Sequence, residues 1–176
     1  MDTNLAAFDA TLRDGRVVHV RAMRASDEGE ILQAFGRLSA DARYMRFMRF
    51  VKEPNLERLR KVLASFPADG MGIVATTPAA DGIDIVGSAI CIIGSDRTTC
   101  EFAVTVASAF AGAGLARTLM TALINAAKQR GLTEMEGFVL ATNQPMLRLA
   151  SRLGFSITPD PEDGSVRVCR LRLSAS

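Results

Sequence analysis

One glutamate stands inside an otherwise apolar run, Cys100-Glu101-Phe102-Ala103-Val104-Thr105-Val106. Read as a strand, the run alternates between faces, so Glu101 sides with Ala103 and Thr105 while Cys100, Phe102, Val104 and Val106 turn the other way. A carboxylate in such a strand is costly to bury, and partial burial raises its pKa. That suits a general base working near neutral pH; the alternative is a surface ion pair on an edge strand. Soon afterwards comes Ala111-Gly112-Ala113-Gly114-Leu115-Ala116, at the head of a long helical pattern. A strand feeding a glycine loop and then a helix makes an anion cradle. The first N–H groups of the helix lack internal partners and carry about half a positive charge. Gly112 and Gly114 let a phosphate reach the backbone with no Cβ in the way. No GK[ST] follows, which excludes a Walker loop, and Arg117 occupies the last position of a dinucleotide GxGxxG/A fingerprint. A tight strand-to-helix turn remains the simpler reading. Asn143, just before Pro145, reads as a helix cap.

Other chemistries fall away on residue counts. His19 is the single histidine, which argues against a histidine-based metal site or a Ser/His/Asp triad. Cys91, Cys100 and Cys169 form no CxxC pair and sit in apolar runs, as small hydrophobes do.

The elements that must position Glu101 and the loop follow from hydrophobic period and turn residues. Leu12 to Val20, with Asp14-Gly15, reads as a first strand entered through a tight turn. Ser26 and Asp27 offer caps to a helix carrying Ile31, Leu32, Phe35 and Leu38. A second helix runs from Ser39 to Phe47, and a third opens at Asn55 after Pro54. From Met71 the period becomes that of strands: Met71–Thr76, Ile85–Ile93 and Cys100–Val106, with Pro78–Gly82 as a hairpin connection. The helix after the glycine loop buries Leu115, Leu119 and Leu123 and closes at Gly131. Met135–Leu140 is a strand, Pro145 opens a short helix, and Val166–Leu173 closes the chain after the turn Asp160–Gly164.

The chain has 176 residues, 48% hydrophobic and 23% charged, which fits one globular domain over residues 1–176 and excludes fibrous or disordered classes. A net charge of +2 is too balanced for a dedicated nucleic-acid protein. No apolar run approaches the roughly 20 residues of a membrane helix, and the N-terminus lacks signal-peptide character, so a cytoplasmic location is expected. The charge is uneven. Arg37 to Lys61 holds eight basic residues against Asp41, Glu53 and Glu57. Within it Tyr44, Phe47 and Phe50 interleave with Arg43, Arg46 and Arg49 at a period of three. On a helix this gives an aromatic core face beside a solvated cationic one, favoured over RNA binding.

Gly114-Leu115-Ala116 with its preceding loop resembles the pyrophosphate-binding motif, [QR]xxGx[GA], of the GNAT superfamily of N-acetyltransferases. The order of strands and helices is similar across nearly the whole chain. Leu38-Ser39 with Arg43-Tyr44-Met45-Arg46-Phe47, and Asn143-Gln144-Pro145-Met146-Leu147 through Gly154-Phe155, resemble segments of the Pat-type bacterial protein lysine acetyltransferases. Two positions depart from the pattern. Ala111 stands where the motif has Gln or Arg, and Ala150 where many members place a tyrosine that protonates the departing thiolate.

The resemblance implies an α+β GNAT fold: a mixed, mostly antiparallel central sheet with helices on both faces, splayed where the strand of Glu101 meets that of Met135. It implies acetyl-CoA as cosubstrate and no metal. The pyrophosphate would lie on the backbone of Ala111, Gly112, Ala113, Gly114, Leu115 and Ala116. The pantetheine would pair with Val104 and Val106 and touch Asn143. The implied reaction is transfer of an acetyl group to an amine, a protein lysine or a small molecule, with Glu101 as general base. The Arg37–Lys61 segment would line the acceptor groove. No nucleic acid or membrane partner is expected, and monomer and homodimer are both compatible. The rival reading is an acyl-CoA-sensing or scaffold domain without turnover. The only tyrosine, Tyr44, is expected to pack into the core rather than replace the missing acid.

Overall fold

Asp14-Gly15 forms the tip of a hairpin rather than the entry to one strand. Gly15 adopts φ +89°, the Leu12 N–H bonds the Arg16 carbonyl at 2.8 Å, and the Asp14 carboxylate accepts from the Arg16 N–H at 3.1 Å. The run read as one strand over Leu12–Val20 is therefore divided between β1 (Phe8–Thr11) and β2 (Val17–Ala22). β1 gives little sequence signal because it is an exposed edge strand with Ala10 alone turned partly inward. The structure is a computed structural model and describes residues 5–48 and 53–173.

Three helices follow: α1 (Glu28–Arg37), α2 (Ala40–Phe47) and α3 (Leu56–Ser65). Ser39 caps α2 by accepting the Ala42 N–H at 3.1 Å, and Asn55 caps α3 by accepting the Arg58 N–H at 3.0 Å. Asp27 turns inward instead of capping α1. Its carboxylate accepts from the Arg24 N–H at 2.7 Å and from both Arg21 guanidinium ends at 2.8 and 2.9 Å.

β3 (Gly70–Ala79) and β4 (Gly82–Ile93) form a long hairpin, with Pro78 and Ala79 inside the ladder rather than in the connection. Then come β5 (Thr99–Val106), α4 (Leu115–Gln129), β6 (Glu134–Leu140), α5 (Gln144–Arg152), β7 (Ser156–Pro159) and β8 (Val166–Arg172). α4 buries Leu115, Leu119, Leu123 and Ala127, and ends on Gly131 at φ +84°.

The strands make one sheet in the order β1-β2-β3-β4-β5-β6-β8-β7. Every neighbouring pair is antiparallel except β5–β6, so the sheet is mixed and mostly antiparallel as expected. Helices cover both faces. A Cβ on Gly87 of β4 would press on Leu115 and Leu119 of α4. The alternate residues Ser88, Ile90 and Ile92 face a cavity walled by α1 and α3.

Candidate active site

β5 and β6 pair over only three positions, Thr99 with Glu134, Cys100 with Met135 and Glu101 with Glu136. Beyond Glu101 the strands part: β5 continues along β4 to Val106, and β6 continues along β8 to Leu140. The Ala107 N–H bonds the Val86 carbonyl at 2.9 Å, and this sets the parity of the β4–β5 ladder. Residues 101, 103 and 105 direct their backbone polar groups to β4. Those of Val104 and Val106 therefore point into the gap. Gly137 lies beside the point of divergence because a Cβ there would run into the Phe102 ring, which packs on Phe155 at 5.2 Å.

Glu101 sits at the apex of this gap. Two cavities meet there, one of about 470 Å³ in the splay and one of about 550 Å³ beneath α1 and α3, and Glu101 lines both. It forms no ion pair among the described residues. Loss of water between the cavity walls raises its pKa, and the neighbouring Glu136 carboxylate raises it further. Arg46 and Arg58 pull in the opposite direction without reversing the shift. Glu136 is itself held by Arg170 at 2.8 Å. A carboxylate so placed, with its pKa raised, can serve as a proton acceptor.

The glycine loop lies along the splay cavity, and Gly112 and Gly114 both have positive φ, +75° and +88°. A Cβ on Gly112 would meet open space, so the loop is accessible from the cleft. The Thr118 N–H makes the first bond of α4, to the Gly114 carbonyl at 3.1 Å, which leaves the N–H groups of residues 115–117 without helical partners. The β1–β2 hairpin steadies this loop. Arg13 donates its backbone N–H to the Ala113 carbonyl at 3.1 Å. The Arg16 guanidinium bonds the Ala109 carbonyl at 2.8 Å and stacks on Phe110 at 3.9 Å. Ala111 thus contributes no anchoring side chain, and two arginines from another part of the chain hold the loop instead.

Sequence reasoning passed over four arginines on this cleft: Arg13, Arg117, Arg148 and Arg152. None makes an ion pair among the described residues. Three carried a readable signal. Arg117 lies in the first turn of a helix, where a cation opposes the dipole, and Arg148 and Arg152 repel at i,i+4 without an intervening acid. An anion in the cleft would resolve both conflicts. Asn143 lines the same cleft and caps α5, accepting the Met146 N–H at 3.4 Å.

The basic segment follows expectation only in part. Arg37, Arg58, Arg60 and Lys61 are exposed, as a solvated face would be, but Arg46 is half-buried and lines both cavities, and burial together with the like charge of Arg58 lowers its pKa. Phe47 lines the α1–α3 cavity and packs on Phe35 at 5.7 Å, with Arg43 stacked on Phe35 at 4.5 Å. Arg49, Phe50 and Lys52 lie outside the described residues. Tyr44 is half-buried and lines neither cavity, and Ala150 is fully buried in α5. His19 pairs with Asp9 at 2.8 Å on the exposed β1–β2 hairpin. Cys91, Cys100 and Cys169 are buried; the Cys100 thiol, beside Cys91 and out of water, is pushed far up and kept protonated. Among the described residues no three His, Cys, Asp or Glu side chains converge as a metal site would require, and no helix is long and apolar enough to cross a membrane.

The signature of the acetyltransferase (GNAT) family matches residues 39–155, which takes in α2 through the Gly154-Phe155 turn and so the whole splay. The chain belongs to the GNAT acetyltransferase family. This GNAT acetyltransferase is 32% identical to the acetyltransferase PA5475 of Pseudomonas aeruginosa over 163 residues, 93% of this chain and 88% of that one. Its fold is similar to the GNAT domain of S. lividans Pat, with a TM-score of 0.84, 20% identity, and coverage of 94% of this chain and 96% of the other. It is also similar to yncA from Salmonella typhimurium, solved with its cofactor acetyl-CoA. That match has a TM-score of 0.70, 22% identity, and coverage of 90% and 95%.

Proposed function

We propose that this enzyme binds acetyl-CoA in the splay between β5 and β6 and transfers the acetyl group to an amine that enters beneath α1 and α3. The observation that carries the reading is Glu101, the one carboxylate among the described residues that lines both cavities, and one of raised pKa. The pyrophosphate lies on the N–H groups of Gly112, Gly114, Leu115 and Ala116, with Ala111 and Ala113, whose N–H groups bond the Ser108 and Phe110 carbonyls, completing the loop and Arg13 and Arg117 adding charge. The inward-facing backbone of Val104 and Val106 pairs with the pantetheine amides. The Asn143 carbonyl oxygen is used in its cap, which leaves the amide nitrogen for the pantetheine.

The acceptor arrives as an ammonium. Glu101, through one water, removes a proton, and the neutral nitrogen attacks the thioester carbonyl carbon. A Val104 N–H directed into the splay steadies the oxygen as it gains charge. The C–N bond forms as the C–S bond breaks, and the second nitrogen proton reaches the departing sulfur or solvent. A thiol pKa near 8.5, by analogy with free cysteine, makes the thiolate a tolerable leaving group without a side-chain acid.

Arg117→Glu tests the cofactor site. Glutamate at this position favours the helix dipole, so the melting temperature should hold or rise while acetyl-CoA affinity falls about 10-fold or more in calorimetry. Equal affinity would remove the loop from the site. Release of coenzyme A in the presence of amines separates this enzyme from a sensor that binds without turnover.

A further inference from the structure

The cavity beneath α1 and α3 has an unusual combination of walls. Ile31, Leu32 and Phe35 of α1, with Leu59 and Val62 of α3, make it apolar along its length. Glu101, Arg46 and Arg58 all line it, both arginines near enough to act on the Glu101 charge, and neither arginine has an ion-pair partner within 4.0 Å among the described residues. Arg37, also on the wall, is already engaged with Asp84 at 3.6 Å. Glu53 sits exposed at the rim. A plain cationic amine approaching Glu101 would meet two guanidiniums, and like charges repel. An amine that brings its own anion removes that conflict.

We propose that the acceptor is an amino acid with a large apolar side chain: its ammonium meets Glu101, its carboxylate is taken by Arg46 and Arg58, and its side chain fills the α1–α3 cavity. This rests on the reading of the chain as an acetyl-CoA-dependent transferase. The ammonium and carboxylate of an α-amino acid are one carbon apart, which matches a base and two neighbouring guanidiniums on the wall of one pocket. Arginine holds a carboxylate through two parallel N–H donors, so the carboxylate is recognised by shape as well as charge. The cavity of about 550 Å³ is of small-ligand size, and its apolar length rewards a bulky side chain over glycine.

The test is release of coenzyme A from acetyl-CoA, with the acetylated product identified by mass. The acceptors are L-phenylalanine, L-methionine, glycine, L-phenylalaninamide, phenethylamine, spermidine and a lysine-containing peptide. L-phenylalanine or L-methionine should exceed phenethylamine, spermidine and the peptide in kcat/KM by roughly 10²-fold. Either should also exceed L-phenylalaninamide, whose less basic amine would otherwise favour it, so that the carboxylate alone explains the order. Arg46→Met and Arg58→Met should each reduce the ratio of L-phenylalanine to L-phenylalaninamide at least tenfold. The proposal is overturned if the amide, phenethylamine, spermidine or the peptide equals the amino acids, or if no amino acid is acetylated although acetyl-CoA binds. Turnover of those other amines leaves acetyl transfer standing; absence of acetyl-CoA binding removes both.

Discussion

The Glu101 carboxylate is tuned by charges that reach it from three elements. Glu136 on β6 stands level with Glu101 across the last paired position of β5, and its negative charge raises the Glu101 pKa; Arg46 and Arg58, from α2 and α3, lower it. Glu136→Gln removes a raising influence, so Glu101 should stay ionised to lower pH. The acidic limb of the kcat/KM profile is expected to move down in pH, and an unmoved limb would show that Glu101 does not set it. The sulfur side of the reaction is simpler. Tyr44→Phe should retain turnover within a few-fold, because Tyr44 lines neither cavity; a loss of two orders of magnitude at unchanged acetyl-CoA affinity would make it the missing acid. Glu101 was legible in the sequence because a carboxylate in an apolar strand breaks a local rule. Arg46 was legible as a residue but not in its role. Helical period alone separates an aromatic face from a cationic one, and it carries no information about which face a distant strand will enclose.

At the scale of elements, two short contacts set the geometry of the site. The β1–β2 hairpin reaches across to hold the glycine loop through Arg13 and Arg16, and the Arg21–Asp27 pair fixes the end of β2 against the turn before α1. The latter pair is nearly closed to solvent, with side chains 12% and 6% exposed. Burial by itself would raise the Asp27 carboxyl, but the Arg21 and Arg24 donors outweigh it and hold the group below its usual range. Asp27→Asn leaves Arg21 buried without its anion and should cost about 3 kcal/mol in denaturant unfolding at neutral pH. The sign of the pH effect follows from the lowered pKa. The stabilisation is complete above about pH 4, where unfolded carboxylates are ionised, and is lost as pH falls through the folded value. The gap between wild type and Asp27→Asn should therefore close in acid. Long elements with strong period, such as α4 and β4, were read from sequence within a few residues. β1 and β7 escaped because four-residue edge strands carry mixed, exposed patterns. The hairpin's grip on the loop escaped for a different reason: nearly a hundred residues separate Arg16 from Ala109.

Among the described residues, a sheet of eight strands parts between β5 and β6, and two cavities meet there. The parallel pairing of β5 with β6 ends at Glu101, which frees the backbone of Val104 and Val106 on one side and opens the α1–α3 cavity on the other. Glu101→Gln tests whether Glu101 removes the acceptor's proton at this junction. Glutamine keeps the shape and removes an ionised group that burial disfavours, so melting at neutral pH should hold or rise. Acetyl-CoA affinity should be unchanged by calorimetry, while turnover at neutral pH falls by roughly 10²–10⁴-fold. The deficit should shrink as pH rises towards the acceptor's own pKa, where the amine arrives already neutral. Unchanged turnover in a folded Glu101→Gln enzyme that still binds acetyl-CoA would contradict the account.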